Sequence, residues 1–136
     1  MNFNDLILNR QSVRRYREKT VERTLVDQCI NAALLAPSAS NSQPWKFIVV
    51  DSPELVQQVA QATYGPMQSF NKFVPQAPVI VAITIEKMKL ITKAGATLTN
   101  REYPLIDIGI AAVHFCLQAT ELGLGTCMLG WFNEAK

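Results

Sequence analysis

Two short apolar runs constrain the fold of this chain more than any other feature. FIVV at residues 47–50 and VIVAITIE at residues 79–86 are rich in β-branched side chains and bounded by turn-forming residues. Such runs are typical of buried strands, because a strand covered on both faces has no polar alternation. A third strand is predicted at residues 126–129. Segments with helical periodicity separate these runs, so we expect an α/β or α+β domain in which helices cover a sheet.

The segments between the strands place apolar residues at i, i+3 and i+4, the spacing of an amphipathic helix. Asn2 precedes the first segment as a candidate cap, and Pro37 ends the second. Asp51 and Ser52 offer a capping side chain to the third, which begins with Pro53 at the first helical position. The predicted helices cover residues 3–7, 21–36, 53–64 and 104–122.

Composition indicates one globular domain. The 136 residues are 49% hydrophobic and 18% charged, which is ordinary for a folded soluble protein. The formal net charge of +2 is too small to indicate nucleic acid or an anionic membrane as the main partner. The N-terminus lacks the basic and apolar regions of a secretory signal. Residues 1–136 are therefore predicted to form a single cytoplasmic domain.

The cysteines and the most apolar stretch support the same interpretation. Cys29, Cys116 and Cys127 lie in apolar patterns without a C-x-x-C pair, which predicts buried free thiols rather than disulfides or a metal site. Residues 106–124 carry Asp107 and His114 among other polar side chains, which would be costly in lipid. This stretch is therefore predicted to be a core helix rather than a membrane span.

The last residues, NEAK at 133–136, resemble an N-cap followed by strong helix formers, yet a helix cannot form in so few residues. We therefore expect the natural polypeptide to continue, so that the C-terminal part of the domain is absent from this chain. Residues 88–101 are basic and poorly patterned, which predicts a surface segment that serves as a lid.

Side-chain catalysis is not indicated. His114 is the only histidine, and its position within an apolar helix predicts a hydrogen-bonded core residue rather than a general base. A zinc site would need further His or Cys ligands, and a serine or cysteine nucleophile would need a base. The sequence therefore favours binding of a ligand that brings its own chemistry.

Two polar segments could bind such a ligand. RQSVRRYR at residues 10–17 contains four arginines, a glutamine and a serine, which suit a phosphate or a planar electron-rich ring. Spacing of four would place Arg10 and Arg14 on one face of a helical turn. The alternative is a solvated basic patch. PSASNSQPW at residues 37–45 holds small hydroxyl and amide groups between two prolines, and its alternative is a helix-ending loop with Trp45 anchored in the core.

These segments, together with GLGTCMLG at residues 123–130, occur in the order and spacing of the FMN-dependent nitroreductase family, which the whole chain resembles. The resemblance is to the short, compact members. It implies an α+β nitroreductase-like fold with a mainly antiparallel central sheet flanked by helices. It also implies a homodimer with two FMN molecules at the subunit interface.

The resemblance also implies roles for individual residues. Arg10 and Ser12 match positions at the FMN phosphate, with Gln11 between them, and Arg14 matches the cation near flavin N1 and O2. The loop of the other subunit would line the isoalloxazine or ribityl chain. Asn71, with Lys72, matches the pyrimidine edge, and the backbone N–H groups after residue 128 would face flavin N5. The implied cofactor-binding residues are Arg10, Gln11, Ser12, Arg14, Pro37, Ser38, Ala39, Asn41, Asn71, Leu129 and Gly130, with no catalytic side chain and no metal.

The implied activity is an NAD(P)H-dependent flavin oxidoreductase that passes hydride by a ping-pong mechanism to small electron-poor acceptors such as nitroaromatics or quinones. Two alternatives stay open: a non-catalytic FMN-binding or storage protein, and a relative that fragments the flavin or dehalogenates its substrate. A basic pair and a dimer-embracing extension that family members carry near the C-terminus are absent from this chain. Arg101 or Lys93 would favour NADPH by charge, as a hypothesis from the basic character of their segment.

Overall fold

The fold is taken from a computed structural model that describes residues 1–65, 69–86 and 102–135. The predicted surface segment at residues 88–101 lies outside these residues. Two short 3-10 turns, Ala39–Asn41 and Val74–Gln76, accompany the regular elements. In chain order the helices and strands are α1 (Phe3–Asn9), α2 (Arg23–Leu34), β1 (Trp45–Val50), α3 (Pro53–Ala60), β2 (Ile80–Ile85) and α4 (Tyr103–Glu121).

The sheet is small and antiparallel. β1 and β2 pair with Trp45 opposite Ile85 and Val50 opposite Ile80, which confirms the two apolar runs as strands and the α+β class. The third predicted strand is wrong as a strand, because only Thr126 forms a bridge, and it does so in parallel with Ser12. A strand needs successive partners along a neighbour, and residues 127–130 have none among the described parts of the chain.

The core lies where α2 packs against α4 over β1. Ala33 and Ala111 are fully buried there beside Trp45, which is 6% exposed. Small alanine side chains let the two helices approach closely, and the indole fills the space between them and the strand. Cys29 and Cys116 are also buried, as predicted, whereas Cys127 is only half-buried.

Helix boundaries agree with the predicted ones to within a few residues, and one cap differs. Asn2 Oδ1 accepts the Asp5 N–H at 2.9 Å, which confirms the cap of α1. Ser52 occupies the N-cap of α3, but its side chain makes no capping bond. The Asp51 carboxylate instead accepts a hydrogen bond from Arg23 at 3.2 Å, because an arginine within reach offers a charged partner.

α4 is long and apolar, and its contacts decide how it is interpreted. An 18-residue window within its 19 residues has a mean hydropathy of 1.2, so that by length and composition alone it could cross a membrane. However, it packs along α2, and Asp107 is only 3% exposed within it. These contacts support the predicted core helix. Its outer face still exposes Leu105 and Ile106 by 55% and 56%.

Candidate functional site

Residues 10–17 do not form the helical turn considered from the sequence: Arg10 has extended backbone angles, and Ser12 forms a parallel bridge. The Val13 N–H donates to the Thr126 carbonyl at 2.8 Å, beside the Ser12–Thr126 bridge. Side chains alternate across an extended backbone. Such alternation about the Ser12 bridge predicts that Arg10, Ser12 and Arg14 share the side opposite Val13, with Gln11 on the other side. The shared face of the two arginines stays a prediction.

Gly125 allows this segment to lie against the turn that follows α4. A Cβ at residue 125 would approach Val13 Cγ2 to 2.9 Å and Val13 Cβ to 3.0 Å. Real Cβ atoms essentially never approach so closely, so that any side chain would push the two segments apart. The first and third motifs of the sequence are thus in direct contact.

The arginines of this segment carry charge that is not neutralised within the described residues. Ion pairs there involve Arg23 with Asp27 and Asp51, and the N-terminus with Glu121. None involves the arginines at positions 10, 14, 15 or 17. Guanidinium groups without a carboxylate partner can take part in charge-assisted hydrogen bonds to an anionic ligand.

Tyr16 anchors the far end of the segment. Its ring lies 6.2 Å from that of Phe73, and its backbone N–H donates to Gln76 Oε1 at 3.3 Å. Burial, with a smaller contribution from the nearby Cys127 thiol, raises the pKa of Tyr16 to about 12 from the ordinary value of 10.0. The phenol is therefore held in its protonated form.

We expect this phenol to make stability depend on alkaline pH. Because the pKa is raised in the folded state, the stabilisation is fully present below pH 10 and is lost as pH rises toward 12. Tyr16→Phe keeps the ring contact and removes the ionisable hydroxyl. When the pH is raised from 9.5 to about 11.5, the urea concentration at the midpoint of unfolding should therefore decrease less for this variant than for the wild type. An equal fall in both proteins would show that Tyr16 is not the responsible group.

Asn71 joins residues 129–131 to the same region. It is 6% exposed, and its Nδ2 donates to the Trp131 carbonyl at 3.3 Å. Gly130 has open space on the side where a Cβ would lie, whereas Leu129 is half-buried and Lys72 is exposed. We call the predicted site residues on the segments that these contacts join the arginine cluster. It consists of Arg10, Ser12, Arg14, Asn71, Leu129 and Gly130.

The loop at residues 37–43, the second predicted segment, has a constrained backbone. Ser40, Asn41 and Gln43 adopt positive φ values of 52°, 49° and 48°, a conformation that costs about 1 kcal/mol or more for each residue with a side chain. The Ser38 hydroxyl accepts the Gln43 N–H at 3.0 Å. Ser42 Oγ is buried and has no hydrogen-bond partner among the residues that the structure describes. Strain and an unsatisfied hydroxyl in one loop are typical of a binding site.

The alternative interpretation, a helix-ending loop with Trp45 anchored in the core, accounts only for the C-terminal end of this loop. Pro44 is fully buried and Trp45 is 6% exposed, so the loop is anchored in the core as that alternative requires. An anchored helix-ending loop does not need three left-handed residues or an unsatisfied Ser42 hydroxyl. Pro37, Ser40 and Asn41 are exposed, and these groups remain accessible to a ligand.

Asp107 is a residue of this site that sequence reasoning missed. Its two carboxylate oxygens accept the Ala39 N–H at 3.1 and 3.2 Å, which ties the loop to α4. The available signal was the acid at position 107 within an apolar stretch of the helix, which the sequence analysis takes only as evidence against a membrane span. A buried acid is stable only with hydrogen-bond partners, and it therefore indicates a nearby backbone that needs an acceptor.

The loop and the arginine cluster lie near opposite ends of α4. Asp107 precedes Glu121, the last residue of α4, by 14 residues, which is about 21 Å along the axis. Thr126 follows that end, where the Leu124 N–H caps the Ala119 carbonyl at 2.8 Å. Within one chain, Ala39 therefore meets α4 in its second turn, whereas Thr126 lies beyond the last residue of α4.

Other polar features in the described part of the chain are less suited to binding. His114 is half-buried and makes no hydrogen bond to a described residue, so the predicted hydrogen-bonded core histidine is not what the structure has. A cavity of about 290 Å³ lies beside the start of α3. Its polar groups Asp51 and Gln57 already bond to Arg23 and to the Pro75 carbonyl. Across residues 1–65, 69–86 and 102–135, no three acidic, His or Cys side chains are grouped as metal ligands.

Comparison with known proteins gives a consistent result. The model of the nitroreductase family matches residues 7–72 and 66–136. A protein of Methanothermobacter thermautotrophicus, whose name contains NADH dehydrogenase and NAD(P)H nitroreductase, is 30% identical over 135 residues. The match covers 96% of this chain and 61% of that protein.

Solved structures extend the comparison to the fold. A nitroreductase family protein from Clostridium novyi NT superposes with a TM-score of 0.80 at 29% identity, covering 99% of this chain and 73% of the other. An FMN-dependent nitroreductase from Clostridium difficile R20291 gives 0.70 at 33% identity, covering 90% and 62%. The chain thus spans less than two thirds of the archaeal relative and of the second structure.

Proposed function

The chain belongs to the nitroreductase family, and from this premise we propose that it is an FMN-dependent oxidoreductase that uses NAD(P)H to reduce small electron-poor acceptors. The observation that carries the proposal is the arginine cluster. Its arginines have no ion pair within the described residues, and its Gly130 has no described atom within 4 Å of the position of a Cβ. The relatives named above for NAD(P)H and for FMN support the choice of donor and cofactor.

The residues present fit FMN in their chemistry. The phosphate end of FMN is an anion, for which the Arg10 guanidinium and the Ser12 hydroxyl are suitable donors. The ring and ribityl chain present polar edges, which the hydroxyl and amide groups of the 37–43 loop can hydrogen-bond. The unsatisfied Ser42 Oγ shows that this loop has unused capacity for a hydrogen bond. The Asn71 amide would hold the pyrimidine edge through the atoms that its bond to Trp131 leaves free.

Bound FMN supplies two-electron redox chemistry between the nicotinamide and the acceptor, and the proposed ping-pong order has both use one pocket in turn. The residues of this chain bind and orient rather than exchange protons. Arg14 would place a fixed positive charge beside the ring, where it would stabilise negative charge. A backbone N–H at Leu129 or Gly130 would be the donor toward N5. Nitroaromatics and quinones fit as acceptors because they are small, planar and electron-poor.

A homodimer would complete the site. The loop is bonded to the second turn of α4 and residues 12–13 to the segment beyond its end, and we propose that each FMN contacts the loop of one copy and the arginine cluster of the other. The outer face of α4 exposes Leu105 and Ile106, and α1 exposes Phe3 and Leu8 by 66% and 83%. Apolar surface of this kind is typical of interfaces between subunits. We propose that two such faces meet, in a cytoplasmic dimer.

The proposal is tested by the visible absorption spectrum of the purified protein with FMN, before and after anaerobic addition of NADH or NADPH. Retained yellow colour that is bleached by either nicotinamide, and restored by a nitroaromatic or quinone, is the expected result. Protein that binds FMN but is inert to both nicotinamides would instead be a binding or storage protein. Destruction of the flavin, or release of halide from a halogenated substrate, would indicate the alternative reactions. Protein that binds no FMN would contradict the proposal.

A further inference from the structure

We infer that Asp107 is a positioning residue that holds the 37–43 loop in the shape needed to contact FMN. The inference rests on the proposed function, because the loop is assigned to FMN there. Asp107 itself does not contact the ligand in this account. It acts through the backbone of Ala39.

The contact between Asp107 and Ala39 is well defined. Both carboxylate oxygens lie within hydrogen-bond distance of one backbone N–H, at 3.1 and 3.2 Å. The acid is 3% exposed and lies in the second turn of α4. Because α4 is packed along α2, the carboxylate is held in place by the core, and it transmits that fixed position to the loop.

The bonded N–H lies where the loop changes direction. Ala39 begins the 3-10 turn, and the Ser42 N–H donates back to the Ala39 carbonyl at 3.0 Å. The strained residues Ser40, Asn41 and Gln43 all follow it. An N–H at the start of such a turn has no partner within the turn. The Asp107 carboxylate supplies that partner, with a charge-assisted bond that offsets part of the backbone strain.

A carboxylate serves this purpose better than a neutral acceptor. Hydrogen bonds to a charged group are worth roughly twice those between neutral groups. A buried carboxylate is also costly when it loses its donor, so that the folded state resists any movement of Ala39 away from α4. The sequence Pro37 to Gln43 is thereby limited to one conformation, which lowers the entropy lost when a ligand binds.

The first test measures FMN affinity of purified variants by quenching of flavin fluorescence. Asp107→Ala is expected to weaken binding about tenfold to a hundredfold, from the loss of a charge-assisted bond. Asp107→Asn keeps an acceptor oxygen and should recover most of that loss, to within about fivefold of the wild type. The matched control Asp27→Ala removes an exposed acid of α2 and should change affinity less than about twofold. Wild-type affinity in Asp107→Ala would overturn the inference.

The second test needs no bound FMN. In the flavin-free protein, Asp107→Ala should speed amide hydrogen exchange at Ala39 at least about tenfold, while amides of β1 exchange as before. If Asp107→Ala does not fold, the same comparison is made with Asp107→Asn, for which a smaller increase confined to the loop is expected. Unchanged exchange at Ala39 would overturn the inference. If the wild type binds no FMN, the proposed function fails, and exchange at Ala39 alone then decides whether Asp107 orders the loop.

Discussion

Replacing Arg10 and Arg14 together by alanine is expected to weaken FMN binding roughly a hundredfold. Alternation about the Ser12 bridge would place both guanidinium groups on one side of the segment, and neither has an ion pair in the described part of the chain. A hydrogen bond to a charged group is worth about 1.5–3 kcal/mol when buried and less when exposed. Two partly exposed contacts of about 1–2 kcal/mol each therefore correspond to this loss. Titration of the purified variant with FMN measures it.

The matched control is Arg15→Ala with Arg17→Ala. This pair removes the same formal charge from the same segment, which lowers the net charge of +2 to zero in both double variants. Because Arg15 and Arg17 lie outside the proposed contacts, their replacement should change FMN affinity only by weakening the long-range attraction of the segment for the phosphate, and that attraction is weak at physiological salt. Equal weakening in the two double variants would show that residues 10–17 act only as a solvated basic patch.

Gly125→Ala is expected to destabilise the protein by about 1–3 kcal/mol, the usual cost of inserting a methyl group into a close contact. The new Cβ would lie 3.0 Å from Val13 Cβ, which is the root of a stiff β-branched side chain and cannot rotate away. To remove this clash, residues 10–17 must move away from residues 124–127. That movement also displaces the arginines. Both the urea midpoint and FMN affinity should therefore fall, and Gly125→Val should lower them further.

Gly65→Ala is the matched glycine control. No atom of the described residues lies within 4 Å of a Cβ built at Gly65, and its φ is not in the left-handed region. The change in stability should stay within about 0.5 kcal/mol. A Gly125→Ala protein as stable as the wild type, with unchanged affinity, would show that the two segments do not depend on this close approach.

Much of the fold could be predicted because local signals agreed with tertiary contacts. FIVV and VIVAITIE are too apolar to be exposed, and they became β1 and β2. The helix formers between them, together with Pro37, Pro53 and Pro104, set boundaries that the structure retains. The third strand could not be predicted correctly, because pairing depends on a neighbour that may be distant in sequence. Thr126 meets only Ser12, at the other end of the chain.

The candidate site was predictable in its segments but not in its geometry. The arginines and the small polar residues of the 37–43 loop stand out by composition. The contact between Asp107 and Ala39 joins residues 68 positions apart, and no local pattern reports such a distance. The left-handed backbone conformations of Ser40 and Gln43 could not be predicted either, since residues with a side chain seldom adopt them.

The most direct test of the shared site uses a mixed dimer. One chain carries Arg10→Ala and Arg14→Ala, and the other carries Asn41→Asp, which keeps tolerance of positive φ but presents a negative charge to the flavin. The two chains are coexpressed with different tags, and the mixed dimer is titrated with FMN beside each parent. Arginines from the second chain and the loop from the first should rebuild one intact site, so one FMN per dimer is expected at wild-type affinity. Binding no tighter than in the parent variants, or no dimer at all, would contradict the account.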